Sequence, residues 1–243
     1  MKNIYPLILK NKAKGKKLFG VLIDPDKFDS LDIINSCENA DVDIIFVGGS
    51  IITSGDFESC IKKIKAHTHI PVVIFPGNYL QVSKDADAIL LLSLISGRNP
   101  ELLIGNHVIA APAIKNSKLE VISAGYMLID SGKQTSVSYM SGTTPIPYDK
   151  NDIALATAMA GEMLGLNLIY LEAGSGAFKP VSNDMINSIH KHINIPLIVG
   201  GGINTPEKAI EVCKAGADMV VVGNAIEKEK KLIKSIAKAV HGV

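Results

Sequence analysis

A chain of 243 residues with 47% hydrophobic content is long enough for one large core, and its formal net charge of +1 lacks the basic surplus of a nucleic-acid binder. No charge-free apolar run reaches the roughly 18 residues of a membrane span; the longest candidate, 102–114, is broken by Asn106, His107 and Pro112. A soluble, cytoplasmic protein is therefore expected, in which the widely spaced Cys37, Cys60 and Cys213, with no C-x-x-C pattern, are buried free thiols.

The lysine-rich segment 1–17 has an apolar piece too short for a signal peptide and is predicted to be a surface helix or arm. After it, short apolar runs recur at 17–24, 44–49, 71–77, 88–94, 120–130, 168–174, 196–201 and 219–223. They are nearly continuous rather than alternating, the pattern of parallel strands buried on both faces, and each is followed by a helix-length segment. Eight such units predict an α/β fold, a (β/α)8 TIM barrel, filling 1–243 as a single domain. Thr205-Pro206-Glu207 supplies an N-cap, a first-turn proline and a first-turn acid, and Gly216 ends that helix. The alanine-rich segment 152–164 is a strong helix former stopped by Gly165, whereas Pro112 requires any helix over 100–117 to bend or end near Ala111. The connection 131–148 shows no helical periodicity and exceeds the usual ~2–6 residues of a βα loop, so an active-site lid is expected there.

An internal echo supports the barrel. The stretch from Ser50 to Pro71 and the stretch from Ser175 to Pro196 both span 21 positions, each with a glycine turn before the serine, then a helix, a histidine pair and an Ile-Pro strand start. In this register Glu172 is matched with Val47, an acid where the other copy is apolar.

Barrel enzymes work at the C-terminal ends of their strands. Those ends carry Asp24 on strand one, Gly48-Gly49-Ser50 on strand two, Glu172 with Gly174-Ser175-Gly176 on strand six, Gly200-Gly201-Gly202 on strand seven and Gly223-Asn224 on strand eight. Glycine turns on three successive strands bring free N–H groups together, which predicts a phosphate site. Asp24 suits a divalent cation that takes one or two carboxylates, with Ser50 completing its shell and Thr53 a weaker substitute; a turn-capping role is the alternative. Glu172, beside the phosphate site, reads as a general base acting on a substrate hydroxyl, or as a buried acid satisfied by neighbouring donors. The pairs His67/His69 and His190/His192 precede strand starts, at the bottom of the barrel, where stability or surface roles are expected; His107 and His241 have no evident partner.

The ordered set LIDPDK, VGGS, YLEAGSGA, VGGGI and VVVGNA resembles the geranylgeranylglyceryl phosphate synthases and their bacterial heptaprenyl relatives over essentially the whole chain. The resemblance implies a Mg²⁺-dependent prenyltransferase joining geranylgeranyl diphosphate to the 3-hydroxyl of sn-glycerol 1-phosphate. It implies Asp24 and Ser50 at the metal, Glu172 as base, and Tyr170, Leu171, Glu172, Ala173, Gly174, Ser175, Gly176, Gly201, Gly202, Gly223 and Asn224 at glycerol phosphate. A prenyl trough is expected from Leu92, Leu94, Ile95, Tyr126 and Met127. Two departures stand out: Leu22 replaces a basic residue of the heptaprenyl branch, and the chain has no tryptophan to stop the trough. The middle section, with GYMLIDSGK, is similar to the second, geranylgeranyl-specific group, which implies a homo-oligomer, a hexamer or a dimer. A longer prenyl donor, a metal-free sugar-phosphate isomerase and a non-catalytic phosphate- or lipid-binding barrel are the competing readings.

Overall fold

Eight parallel strands close on themselves in chain order in the computed structural model, which describes residues 3–243. They are β1 (Leu18–Ile23), β2 (Ile44–Val47), β3 (Val72–Ile74), β4 (Ala88–Leu94), β5 (Glu120–Leu128), β6 (Leu168–Glu172), β7 (Leu197–Gly200) and β8 (Met219–Val222). The TIM barrel read from the apolar runs is thus the fold. Except for β4, each strand ends one to three residues before its apolar run does.

Side-chain alternation sorts the apolar residues into two cores. Phe19, Val21, Ile45, Ile169, Leu171 and Val199 face the helices, while Leu18, Ile44, Phe46, Tyr170, Ile198 and Val221 fill the barrel. This alternation corrects the internal echo: Val47 faces the helices and Tyr170, two residues before Glu172, faces the interior, so the paired positions point to opposite sides of the sheet. The β6 copy carries one extra residue before its serine, and an offset of one flips the face; Gly48, not Val47, is the inward counterpart of Glu172.

The N-terminal segment is the helix of the two alternatives, its polar face on the surface and its apolar side buried. Helix α1 (Ile4–Ala13) places Ile4 and Ile8 in the barrel-interior cluster, both fully or nearly fully buried. Its first amides are capped by Glu120 at the start of β5 (Ile4 N–H 2.5 Å, Tyr5 N–H 2.8 Å), and Lys12 pairs with Asp218 at the start of β8 (2.9 Å). It closes the bottom of the barrel, a job that a lysine-rich sequence hides because only one face is apolar.

The outer helices are α2 (Asp32–Glu38), α3 (Phe57–His67), α4 (Asn106–Ser117), α6 (Asn151–Met163), α7 (Asn183–His190), α8 (Pro206–Ala215) and α10 (Leu232–His241), with two short ones, α5 (Ser136–Ser141) and α9 (Asn224–Lys228). Helix α8 is capped as its sequence demands, Thr205 accepting from Lys208 N–H. Pro112 does not end α4, which continues to Ser117 and is preceded by a π-turn at Glu101–Gly105. Nor is 131–148 devoid of helix: Thr135 and Ser138 form a capping box that starts α5. All three cysteines are buried, and burial pushes the Cys37 and Cys60 thiols up to about 12 and Cys213 up to about 11. No helix among the described residues is long and apolar enough to cross a membrane.

Candidate active site

A cavity of about 1090 Å³ opens at the C-terminal ends of the strands. On β6, alternation sends Tyr170 and Glu172 inward. Glu172 is 8% exposed, and its Oε1 accepts the Gly174 N–H at 2.6 Å, while the Tyr126 hydroxyl donates to the same carboxylate. Burial raises this acid to about 7, although the Gly174 amide and the Tyr126 hydroxyl both favour the charged form. Burial, and then the Glu172 charge, hold the Tyr126 and Tyr170 phenols well above their usual range, so both remain neutral.

Backbone conformation makes room for this arrangement. Gly201 has φ +82°, and a Cβ there would lie 2.6 Å from Glu172 Oε1; Gly174, at φ +95°, is pressed against Thr135 from the 131–148 segment. A side chain at Gly200 would collide with the Tyr170 hydroxyl. Gly174, Ser175, Gly176, Gly201, Gly202, Gly223 and Asn224 all line the cavity, as the strand-end glycines predict. With its amide oriented to satisfy both neighbours, Asn224 accepts from the Gly176 N–H (3.2 Å) and donates to Glu227 (3.1 Å). Leu171 and Ala173 are different: their side chains are buried in the outer core and do not border the cavity.

Beneath Glu172 lies an aromatic floor, with Phe75 contacting Tyr170, Tyr126 and Phe46 at centroid separations of 5.1, 5.8 and 6.2 Å. Sequence reasoning missed Phe75, which no motif marks, and placed Tyr126 in the trough instead of against the acid. The direction of the β5 side chain at 126 depends on the register with β6, where Tyr126 pairs with Tyr170.

Across the mouth, Asp24 faces the same cavity, as do Ser50 and Thr53. Asp24 Oδ1 accepts the Asp26 N–H (3.1 Å), and its Oδ2 lies 3.2 Å from the Lys27 ammonium, which also donates to Glu227 at 3.0 Å. Partial burial opposes charge on Lys27, but the Glu227 and Asp24 carboxylates outweigh it and raise its pKa. The β2–α3 loop comes close, since a Cβ on Gly49 would sit 3.2 Å from Asp24 Oδ1. Two buried or pinned groups hold that loop. Gln81 bridges the Gly49 carbonyl (3.1 Å) and the Gly77 amide (2.9 Å), and Asp26 accepts from Thr53 N–H, Thr53 Oγ1, Ser54 N–H and Gly55 N–H at 2.6–3.0 Å. Thr53 thus spends its hydroxyl proton on Asp26, and the Asp26 carboxyl is held well below the usual carboxylate range by these backbone amides.

The donor set around Asp24 suits a hard cation with few protein ligands: the Asp24 carboxylate faces the cavity, the Ser50 hydroxyl borders it from the β2–α3 loop, and an ammonium shared with Glu227 is already drawn to the Asp24 oxygen. Among the described residues no cluster of three or more His, Cys, Asp or Glu forms a closed metal cage. The histidine pairs stay away from the mouth, His67 and His192 each bonding a backbone carbonyl one helical turn back, at 2.8 and 2.7 Å. His241 and His107, unpartnered in sequence, contact Asp43 (2.9 Å) and Ser93 (3.3 Å).

The apolar arm of the cavity runs along β4. Strands β3 and β4 pair through only Val73–Ala88 and Ile74–Ile89, so they part above Ile74. The arm is lined by Leu90, Leu92 and Leu94 from one face of β4, Ile89 and Leu91 from the other, and Ala110 and Ile114 of α4. Val137 and Met140 of α5 add to its wall, which puts the 131–148 segment over the site. Ile95 and Met127 do not contribute; both pack in the outer core, Ile95 against Gly125 and Gly161.

An acid raised by burial, a glycine cradle, a carboxylate-hydroxyl pair and an apolar arm share one cavity. The model of the PcrB family matches residues 11–240. The geranylgeranylglyceryl phosphate synthase of Chitinophaga pinensis is 57% identical over 98% of this chain and 96% of its own, and that of Spirosoma linguale is 53% identical over 95% and 94%. The crystal structure of (S)-3-O-geranylgeranylglyceryl phosphate synthase from Thermoplasma acidophilum, in complex with its substrate sn-glycerol-1-phosphate, superposes with a TM-score of 0.92 at 33% identity over the full length of both chains. The chain belongs to the PcrB family, the family of these geranylgeranylglyceryl phosphate synthases.

Proposed function

We propose that this chain, as one barrel unit, transfers the geranylgeranyl group of geranylgeranyl diphosphate to the 3-hydroxyl of sn-glycerol 1-phosphate, with Mg²⁺ held by Asp24 and Ser50. The observation that carries the reading is Glu172, a carboxylate raised to about 7 and set between the glycine turns and the apolar arm. The N–H groups of Ser175, Gly201, Gly202, Gly223 and Asn224 hold the phosphate, and Glu172 takes the proton of the hydroxyl as its oxygen bonds to the allylic carbon. The bond to the diphosphate breaks at that carbon, and its electron pair leaves with the diphosphate. Asp24 and Ser50 would hold Mg²⁺, which would supply positive charge to the departing diphosphate. Tyr126 and the Gly174 amide aim the carboxylate, while α5 and α4 keep water from the cation-like carbon. The β4–α4 arm takes the hydrocarbon chain.

The test is purified protein with labelled geranylgeranyl diphosphate, Mg²⁺ and either enantiomer of glycerol phosphate, products read by mass spectrometry. Ether product from the sn-1 enantiomer is expected; no ether with a prenyl donor of any length overturns the reading. The proposal extends to a homo-oligomer, dimer or hexamer, because α6 and the residue after it expose Ile153, Met163 and Leu164, and α5 exposes Tyr139 and Met140. A monomeric mass by light scattering at micromolar concentration would exclude it.

A further inference from the structure

The DPDK turn after β1 does more than present Asp24. Its lysine lies between two carboxylates that come from opposite ends of the sequence, Asp24 Oδ2 at 3.2 Å and Glu227 Oε2 at 3.0 Å. All three side chains border the main cavity, and the Lys27 side chain is half exposed, with access to whatever enters the mouth. Glu227 in turn contacts Asn224, whose other end meets the Gly176 amide, so this cation lies on the path from the carboxylate of β1 to the glycine turn of β6. An ion pair this exposed is weak and can be exchanged.

A divalent cation and the Lys27 ammonium would compete for the same oxygen. We propose that Lys27 is the resident counter-cation of Asp24: it gives up the carboxylate when a divalent cation arrives and, still tethered by Glu227, pairs with the diphosphate of the prenyl donor. The inference rests on Asp24 being the metal carboxylate. Three features support it. First, Lys27 has two carboxylates to choose from, so leaving Asp24 does not strand it. Second, Asp24 is only partly exposed, and an uncompensated charge there between turnovers would be unfavourable; the lysine compensates it. Third, a flexible ammonium is a point charge suited to following a diphosphate that must bind, separate from the hydrocarbon and depart. No proton changes place in this exchange; only the partner of Asp24 does.

The experiment measures binding, not turnover. Mn²⁺ is titrated into metal-free protein and the free ion read by electron paramagnetic resonance, for the wild type, Lys27→Met, Lys27→Arg and Asp24→Asn. Removing the competing charge should tighten Mn²⁺ binding about three- to tenfold in Lys27→Met, whereas Lys27→Arg should stay near the wild type. Inorganic pyrophosphate is then titrated calorimetrically at saturating Mn²⁺, and Lys27→Met should bind it about fivefold more weakly. Mn²⁺ affinity in Lys27→Met that is unchanged or weaker, while Asp24→Asn loses the site, overturns the counter-cation role alone. Tighter Mn²⁺ with unaltered pyrophosphate affinity overturns the pairing with diphosphate. Wild-type Mn²⁺ affinity in Asp24→Asn overturns the metal assignment of Asp24 and this inference with it.

Discussion

On the β6–β8 side of the mouth the groups that face the cavity are mostly backbone amides, held where they are because residues such as Gly174 and Gly201 adopt positive φ and have no Cβ to collide with Thr135 or Glu172. On the β1–β2 side they are side chains, Asp24, Lys27 and Ser50, on loops pinned by the bonds that Asp26 accepts and Gln81 makes, with Glu227 of α9 reaching Lys27 from the β8 side. The first wall is built on glycine turns with no room for a side chain; the second contains an ammonium with alternative partners.

The largest effect should come from the charge at the centre of the β6–β8 wall. Glu172→Gln keeps the shape and removes the base, and kcat should fall by about 10²–10⁴-fold with circular dichroism unchanged. Wild-type turnover in this variant would mean that the β6–β8 wall only binds. Next, Gly201→Ala introduces a Cβ 2.6 Å from Glu172 Oε1 at a φ that disfavours it. Thermal denaturation should show a loss of about 1–3 kcal/mol, with KM for glycerol phosphate raised and KM for the prenyl donor little changed. Equal rises in both constants would erase the distinction between the walls.

The pH profile sharpens the comparison further. Glu172 must be deprotonated to act, and burial has raised it to about 7, so kcat should climb tenfold per unit on the acid side and level off above that value. Tyr126 favours the charged form, so Tyr126→Phe should move this limb to higher pH, by up to about one unit for a hydrogen bond of ordinary strength. A limb that moves to lower pH would remove Tyr126 from its role. The smallest effect concerns the apolar arm. Ala110→Leu narrows the space opposite β4 and should raise KM for geranylgeranyl diphosphate by a few-fold, about 1 kcal/mol or less, leaving glycerol phosphate binding unaltered.

Much of this was legible from residue order alone. Apolar runs at regular spacing specify buried parallel strands, a glycine needed for close approach or positive φ is visible as a letter, and a strand that ends in an acid announces it; hence the barrel, Asp24, Glu172 and the glycine turns were all readable. These are local signals, carried by a few adjacent residues. What residue order did not disclose depends on register and on contacts between distant segments. Tyr126 meets Glu172 only because β5 and β6 pair with Tyr126 beside Tyr170, and Leu171 and Met127 turn away from the site by the same alternation. Phe75 becomes a floor only when β3 faces β5 and β6 across the interior. Helix α1 closes the barrel bottom only because Glu120 receives its first amides, and Lys27 finds Glu227 some 200 positions away only when the barrel closes β8 onto β1. The sequence determined which groups are available at each strand end; closure of the sheet decided which of them meet, since a one-residue change in register reverses the face of every side chain on a strand.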